Sequence, residues 1–187
     1  MGNKVGSSKK PGGPTPYRIE IEFYGDRVVA GQNINGQAVL VLDDAYVGKT
    51  GLDKAVVSLT GTETARFCAQ KNRNSEPKKA AHKNALEQKK PLVFWEAAIH
   101  DFHGHLTLNG GRYRLPFSIP VPANVAPSLE LAPVEHSLFE VNYKVKVTVT
   151  ECADTKAKKK GGLLQGGVPL IENTKPITIL SEPAQAP

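Results

Sequence analysis

The stretch GGRYRLPFSIPVPANVAPSLE, residues 110–130, decides the fold. Tyr113, Leu115, Phe117, Ile119 and Val121 alternate with Arg114, Pro116, Ser118, Pro120 and Pro122. Alternation of apolar with non-core residues marks a strand with one buried face. Proline cannot donate to a ladder, so a central strand excludes it. Pro116, Pro120 and Pro122 share one parity, and alternate residues present their backbone groups to the same edge. The missing donors therefore fall on one side. The stretch reads as an edge strand that pairs on its other side and fills a core with its apolar face. Proline on the free side also keeps that edge from joining another chain.

Working outward, YRIEIEF (17–23) alternates Tyr17, Ile19, Ile21 and Phe23 with polar residues, another half-buried strand. A continuous apolar strand runs over 38–42, after Gly31 and Gly36. Strands are expected at 55–60 and 64–69, with a turn at Gly61 between them. YVGKTGLDK (46–54) reads as a turn. Residues 70–90 carry almost no large apolar residues and read as a long exposed loop. PLVFWEAAIHDF (91–102) returns to strand chemistry. HLTLNGGRYRLPFSIPV (105–121) reads as a hairpin turning at Asn109-Gly110. In SLFEVNYKVKVTVTE (137–151), Val141, Tyr143, Val145, Val147 and Val149 face one way and Lys144, Lys146 and Thr148 the other. A Lys- and Gly-rich loop covers roughly 153–168, and KPITIL (175–180) is the last strand. Eight or nine short strands and no amphipathic helix indicate an all-β, immunoglobulin-like sandwich.

The 187 residues suit one domain with tails. We expect a flexible basic arm over 1–16, the sandwich over 17–181 and a short tail over 182–187. No apolar run approaches the roughly 18 residues of a membrane span, and the N-terminus lacks the apolar core of a secretory signal. These features imply a cytoplasmic protein. Cys68 and Cys152 lie far apart and read as free, half-buried thiols of a reducing compartment.

The net charge of +6 is uneven. Lys4, Lys9 and Lys10 lie in the arm. Lys71, Arg73, Lys78, Lys79, Lys83, Lys89 and Lys90 lie in one polar segment, and Lys156, Lys158, Lys159 and Lys160 in another. Such clusters attract anionic partners: phosphopeptides, anionic lipids or nucleic acid. A pI of about 9.3 permits nucleic-acid binding. Aromatics are only 6% of the chain and mostly on core parity, so no stacking platform interleaves with the lysines.

The block from 110 to 149 resembles the arrestin-like N-terminal domain. Gly111, Tyr113, Leu115, Pro116, Phe117, Pro122, Pro127, Ser128, Leu129, Glu130, Tyr143, Val145 and Val147 match that family's pattern in order. VVAGQNINGQAVLVL and KAVVSLTGTETARF are similar to its earlier strands, so the resemblance covers 17 to about 180. It implies a non-catalytic sandwich with no cofactor that binds membrane-protein cargo, coat or ubiquitin-ligase components in trafficking, endocytosis or signalling. Relatives include arrestins, the α-arrestin ubiquitin-ligase adaptors and the arrestin-like retromer subunit. Family members normally carry two such sandwiches, and this sequence has room for one. No P-P-x-Y ligase-docking motif is present. An alternative is therefore a half-domain that acts only as a homodimer or with a second sandwich polypeptide. In receptor-binding arrestins, lysines just before the first strand take phosphate, and Lys9 and Lys10 stand nearest that place.

Other chemistry is sparse. His100, His103 and His105, with Asp101, have the composition of a metal site. Their place beside a glycine and the lack of further nearby ligands favour exposed turn histidines. No nucleophile elbow occurs, and Gly48-Lys49-Thr50 lacks the earlier glycine of a phosphate-binding loop. After removal of Met1, Gly2 opens GNKVGSSKK, a myristoylation candidate with lysines as the second, electrostatic anchor.

Overall fold

The computed structural model describes residues 17–68, 85–134, 137–152 and 168–181. Among these residues nine strands follow one another: β1 (Tyr17–Phe23), β2 (Arg27–Val29), β3 (Asn33–Leu42), β4 (Tyr46–Cys68), β5 (Ala85–Leu108), β6 (Gly111–Pro120), β7 (Leu129–Val134), β8 (Ser137–Glu151) and β9 (Val168–Leu180). They form two sheets, a three-stranded one in the order β1-β3-β6 and a six-stranded one in the order β2-β9-β8-β4-β5, with β7 pairing β8. All pairings are antiparallel except the short parallel match of β2 with β9.

The core lies between the sheets. Ile19 and Ile21 of β1, Ala38 and Leu40 of β3, and Leu115, Phe117 and Ile119 of β6 pack into one cluster with Val57 and Leu59 of β4 and Val145, Val147 and Val149 of β8. The β8 residues are β-branched and share one parity, which suits the buried face of a central strand. Each fully buried Val or Leu stabilises the fold by roughly 1.5–3 kcal/mol of transfer free energy.

The prolines of β6 stand as their parity requires. The Val121 N–H donates to Gln32 O at 3.0 Å and the Gly31 N–H donates to Val121 O at 3.2 Å. The Val121 parity thus points toward β3, and Pro116, Pro120 and Pro122 turn their nitrogens to the free edge.

Four local expectations are corrected. Asn109-Gly110 does not close a hairpin: β5 belongs to the six-stranded sheet and β6 to the three-stranded one, so this turn passes the chain between layers. Its local geometry is turn-like either way, and the partner of each flanking strand is set by core packing. Gly61 is no turn. It sits inside β4, opposite Tyr143, and a Cβ there would overlap the Tyr143 ring. Residues 46–54 lie in β4 and not in a turn, pairing irregularly with β5. There Gly51 lets the backbone approach so closely that a Cβ would run into the Gly104 carbonyl. Finally, residues 85–90 of the expected loop are strand, paired with 63–68. Charge takes the place of apolar side chains here: Arg66 reaches Glu87 across the strands at 3.5 Å, and Lys89 reaches it along β5 at 3.0 Å.

Candidate functional site

The motif residues that suggested a function do structural work. Gly111 has φ +147°, a conformation closed to L side chains. The Tyr113 hydroxyl donates to Asn109 O at 2.7 Å and closes the layer-crossing turn. Pro116 lies on the free edge of β6, and Pro122 follows that strand on the same parity. The Phe117 ring meets Phe23 edge-on, 6.4 Å between centroids, and covers Gly36. Pro127 leads into Ser128, which docks onto β9: its N–H donates to Ile179 O at 2.7 Å and its Oγ accepts from the Ile179 N–H at 2.9 Å. The buried Tyr143 hydroxyl donates to Ala126 O at 2.5 Å, fixing the same connection. Burial pushes the Tyr143 phenol up from its ordinary value, so it stays a neutral donor.

A sandwich presents its edges as well as its faces. A crevice of about 400 Å³ lies open between β2, β7, β8 and β9 beside Arg27, Ser128, Glu130 and Asn142. The sheets end at β1, β6, β2 and β5, and β7 beside β8 adds a fifth edge, six residues long, with Pro133 inside it and a register shift between Leu131 and Val134; these edges differ. Side chains of β9 cap β1: Asn173 Nδ2 donates to Ile19 O at 2.7 Å and Lys175 Nζ to Ile21 O at 3.2 Å. Lys175 Nζ also lies 5.0 Å from the Phe23 ring centroid. The β6 edge carries the prolines. The β2 edge is Arg27–Val29 only.

β5 is different. Among the described residues it pairs with β4 alone. Its register slips at Leu92, between Val93↔Gly61 and Pro91↔Thr62, and again at Ile99, between Ala98↔Val56 and His100↔Ala55. Bulges of this kind twist an edge and limit pairing. Between them, Val93–Ala98 is regular. Phe94, Glu96 and Ala98 lie opposite Thr60, Ser58 and Val56. The Phe94 side chain is 70% exposed. Val93 and Trp95 pack against the core yet remain half-buried, because no described strand lies beyond them. The sequence reading missed this edge. Its signal was the doubly apolar run PLVFW, with Phe94 on the parity of Glu96.

The histidines sit in the irregular end of β5. His103 has φ +53° and Gly104 φ +73°. The His103 N–H donates to Asp101 Oδ1 at 2.7 Å, and Nδ1 lies 3.4 Å from the same oxygen. His100 packs edge-on against the buried Phe102, 4.6 Å between centroids. His100, His103 and His105 are exposed, and among the described residues no group of three His, Cys, Asp or Glu side chains could hold one ion. Cys152 is a free, half-buried thiol just after β8.

The anion-binding candidates Lys9, Lys10, Lys71, Arg73, Lys78, Lys79, Lys156, Lys158, Lys159 and Lys160 lie outside the described residues, as does Gly2. Among the described residues no helix is long and apolar enough to cross a membrane.

Two facing, mainly antiparallel sheets, a proline-bearing edge and a connection held by Ser128 on Ile179 and by Tyr143 on Ala126 make a sandwich of the arrestin type. The sequence profile described as "Arrestin (or S-antigen), N-terminal domain" matches residues 18–164, and the chain belongs to that family. Among solved structures, the chain is similar to Spo0M, a sporulation control protein from Bacillus subtilis, at 11% identity and a TM-score of 0.47. That match covers 88% of this chain, which spans 49% of the other. No curated protein matches the sequence.

Proposed function

We propose that this chain is a non-catalytic, arrestin-like adaptor that docks an extended segment of a partner protein along the edge of β5. The observation that carries the reading is the regular, half-covered run Val93–Ala98 at the end of a six-stranded sheet, beside edges that are capped, proline-blocked or very short. Membership of the arrestin N-terminal domain family supports a protein-binding role. Strand addition supplies main-chain hydrogen bonds, with side chains on alternate positions setting specificity. In this reading the partner is membrane-protein cargo or a coat or ubiquitin-ligase component, met in the cytoplasm or at an endosomal membrane. The lysines at 71–79 and 156–160 would steer the protein to phosphorylated or anionic surfaces, and an acylated Gly2 would hold it there.

The test is affinity capture of the full chain from its native cells, beside a Phe94→Lys variant, with the mass of the N-terminal peptide read from the same samples. Coat, ligase or membrane-protein components held by the parent and lost by the variant would support the proposal. Equal recovery by both would remove the β5 edge from it. Recovery of only the chain itself or one other sandwich protein would favour the half-domain alternative.

A further inference from the structure

The β5 edge also carries a chemical preference. An added strand places one residue directly opposite each of Phe94, Trp95 and Glu96, in either strand direction. Phe94 and Glu96 share the solvent face, while Trp95 points to the core. Across β4, Lys146 pairs with Glu172, and further along the edge Glu87 pairs with Arg66 and Lys89, while Lys144 stands opposite Thr60 two strands from the edge. Glu96 is exposed and has no ion-pair partner among the described residues. Its cross-strand neighbour within β4 is the uncharged Ser58.

Resting on the edge-docking reading above, we infer that Val93–Ala98 selects an extended segment with a Lys or Arg opposite Glu96. Apolar residues of that segment stand opposite Phe94, on the solvent face, and opposite Trp95, on the core face. The basic residue supplies the missing counter-charge. The inward apolar residue covers the uncovered flank of Trp95, and the outward one covers Phe94.

A second copy of this chain fits less well. Two-fold antiparallel pairing centred on Glu96 sets the two carboxylates against each other, and like charges directly opposite are unfavourable. Centred on Trp95, it sets each Glu96 against a Phe94 and gives neither a cation; centred on Val93, it would turn Lys90 toward Glu96, but the register slip at Leu92 interrupts the ladder between them.

The test uses the full chain and two synthetic peptides, acetyl-Thr-Val-Val-Lys-Val-Val-Thr-amide and its central Lys-to-Glu counterpart. The order is palindromic, so strand direction does not matter. Binding is read by fluorescence anisotropy at low salt. The expected result is that the Lys peptide binds roughly threefold to tenfold more tightly than the Glu peptide, and that Glu96→Lys reverses the order. The preference should shrink at high salt. N-methylation of the Lys peptide on one parity should abolish binding and on the other should not.

Equal affinities with N-methyl sensitivity intact would overturn the charge selection and leave the edge reading standing. No binding of either peptide, or binding indifferent to N-methylation on both parities, would overturn the edge reading itself. A dimer of the free chain that Phe94→Lys dissolves and the Lys peptide does not would make a second copy the occupant.

Discussion

Gly61 and Tyr143 face each other across the β4–β8 ladder, and the Tyr143 ring occupies the place where a Cβ on Gly61 would stand. Val93 Cγ1 closes the same site from β5, 2.8 Å from that position. The ring, its hydroxyl bond to Ala126 O and the glycine opposite it are one packing unit at the heart of the six-stranded sheet. Gly61→Ala must push either the ring or Val93 aside. Overpacking of this kind costs about 1–3 kcal/mol. Urea unfolding should show a lower midpoint with an unchanged slope, and Tyr143→Phe should cost about 0.5–1.5 kcal/mol by losing one hydrogen bond.

Ser128 exchanges two hydrogen bonds with Ile179, a fully buried residue of β9. Ser128→Ala keeps the backbone bond and orphans the Ile179 N–H. The expected loss is about 1–3 kcal/mol, larger than for an exposed serine. Amide hydrogen exchange at Ile179 should quicken in the variant, and unchanged protection there would refute the role.

Pro116 and Pro120 guard the free edge of β6. Replacing both by Val restores two donors on an edge whose other face is core. Thermal stability should hold or rise, while sedimentation should reveal concentration-dependent association absent from the parent.

Asn173 and Lys175 stand in for a missing neighbour strand on β1. Asn173→Ala removes a donor to a β1 carbonyl at about 1 kcal/mol. Lys175→Met keeps the stem over Phe23 and removes the charge, and the two losses should add to within a few tenths of a kcal/mol only if the contacts are independent. A double-mutant cycle reads the coupling.

Glu20 lies between Arg18 and Arg112 on the outer face of the three-stranded sheet, 3.1 Å from each. The Arg18 hydrogen bond, with the Arg112 charge behind it, holds the carboxyl below its ordinary 4.5 against a smaller opposing desolvation. A folded-state value below the unfolded one contributes stability that is complete above about pH 4.5 and is lost as pH falls through the lowered value. The group is exposed, so the effect is small. The stability difference between the parent and Glu20→Gln should therefore be present at neutral pH and fade in acid, measured by urea midpoints across pH.

The strand faces were readable from period-two alternation. β1, β6 and β8 bury the parities their sequences marked, and the prolines of β6 fall on the free edge their shared parity required. The Pro127-Ser128 step was visible as a motif, but its bond to Ile179 joins residues 51 positions apart and left no local trace. The same holds for Asn173 and Lys175, which looked like ordinary polar strand residues and reach β1 across 154 positions.

The sequence by itself determined an all-β chain, the buried face of each clear strand and one proline-guarded edge, because side-chain alternation and proline's missing donor act within a single strand. Only the tertiary structure decided which strands are neighbours. A glycine marks a turn or a close approach depending on what lies opposite, so Gly61 could be read only once Tyr143 was in place. Asn109-Gly110 likewise turns the chain, while the core decides that the turn changes layer. The open edge of β5 exists because nothing in the described chain pairs beyond it, and that is a property of strand order, which no stretch of residues encodes alone.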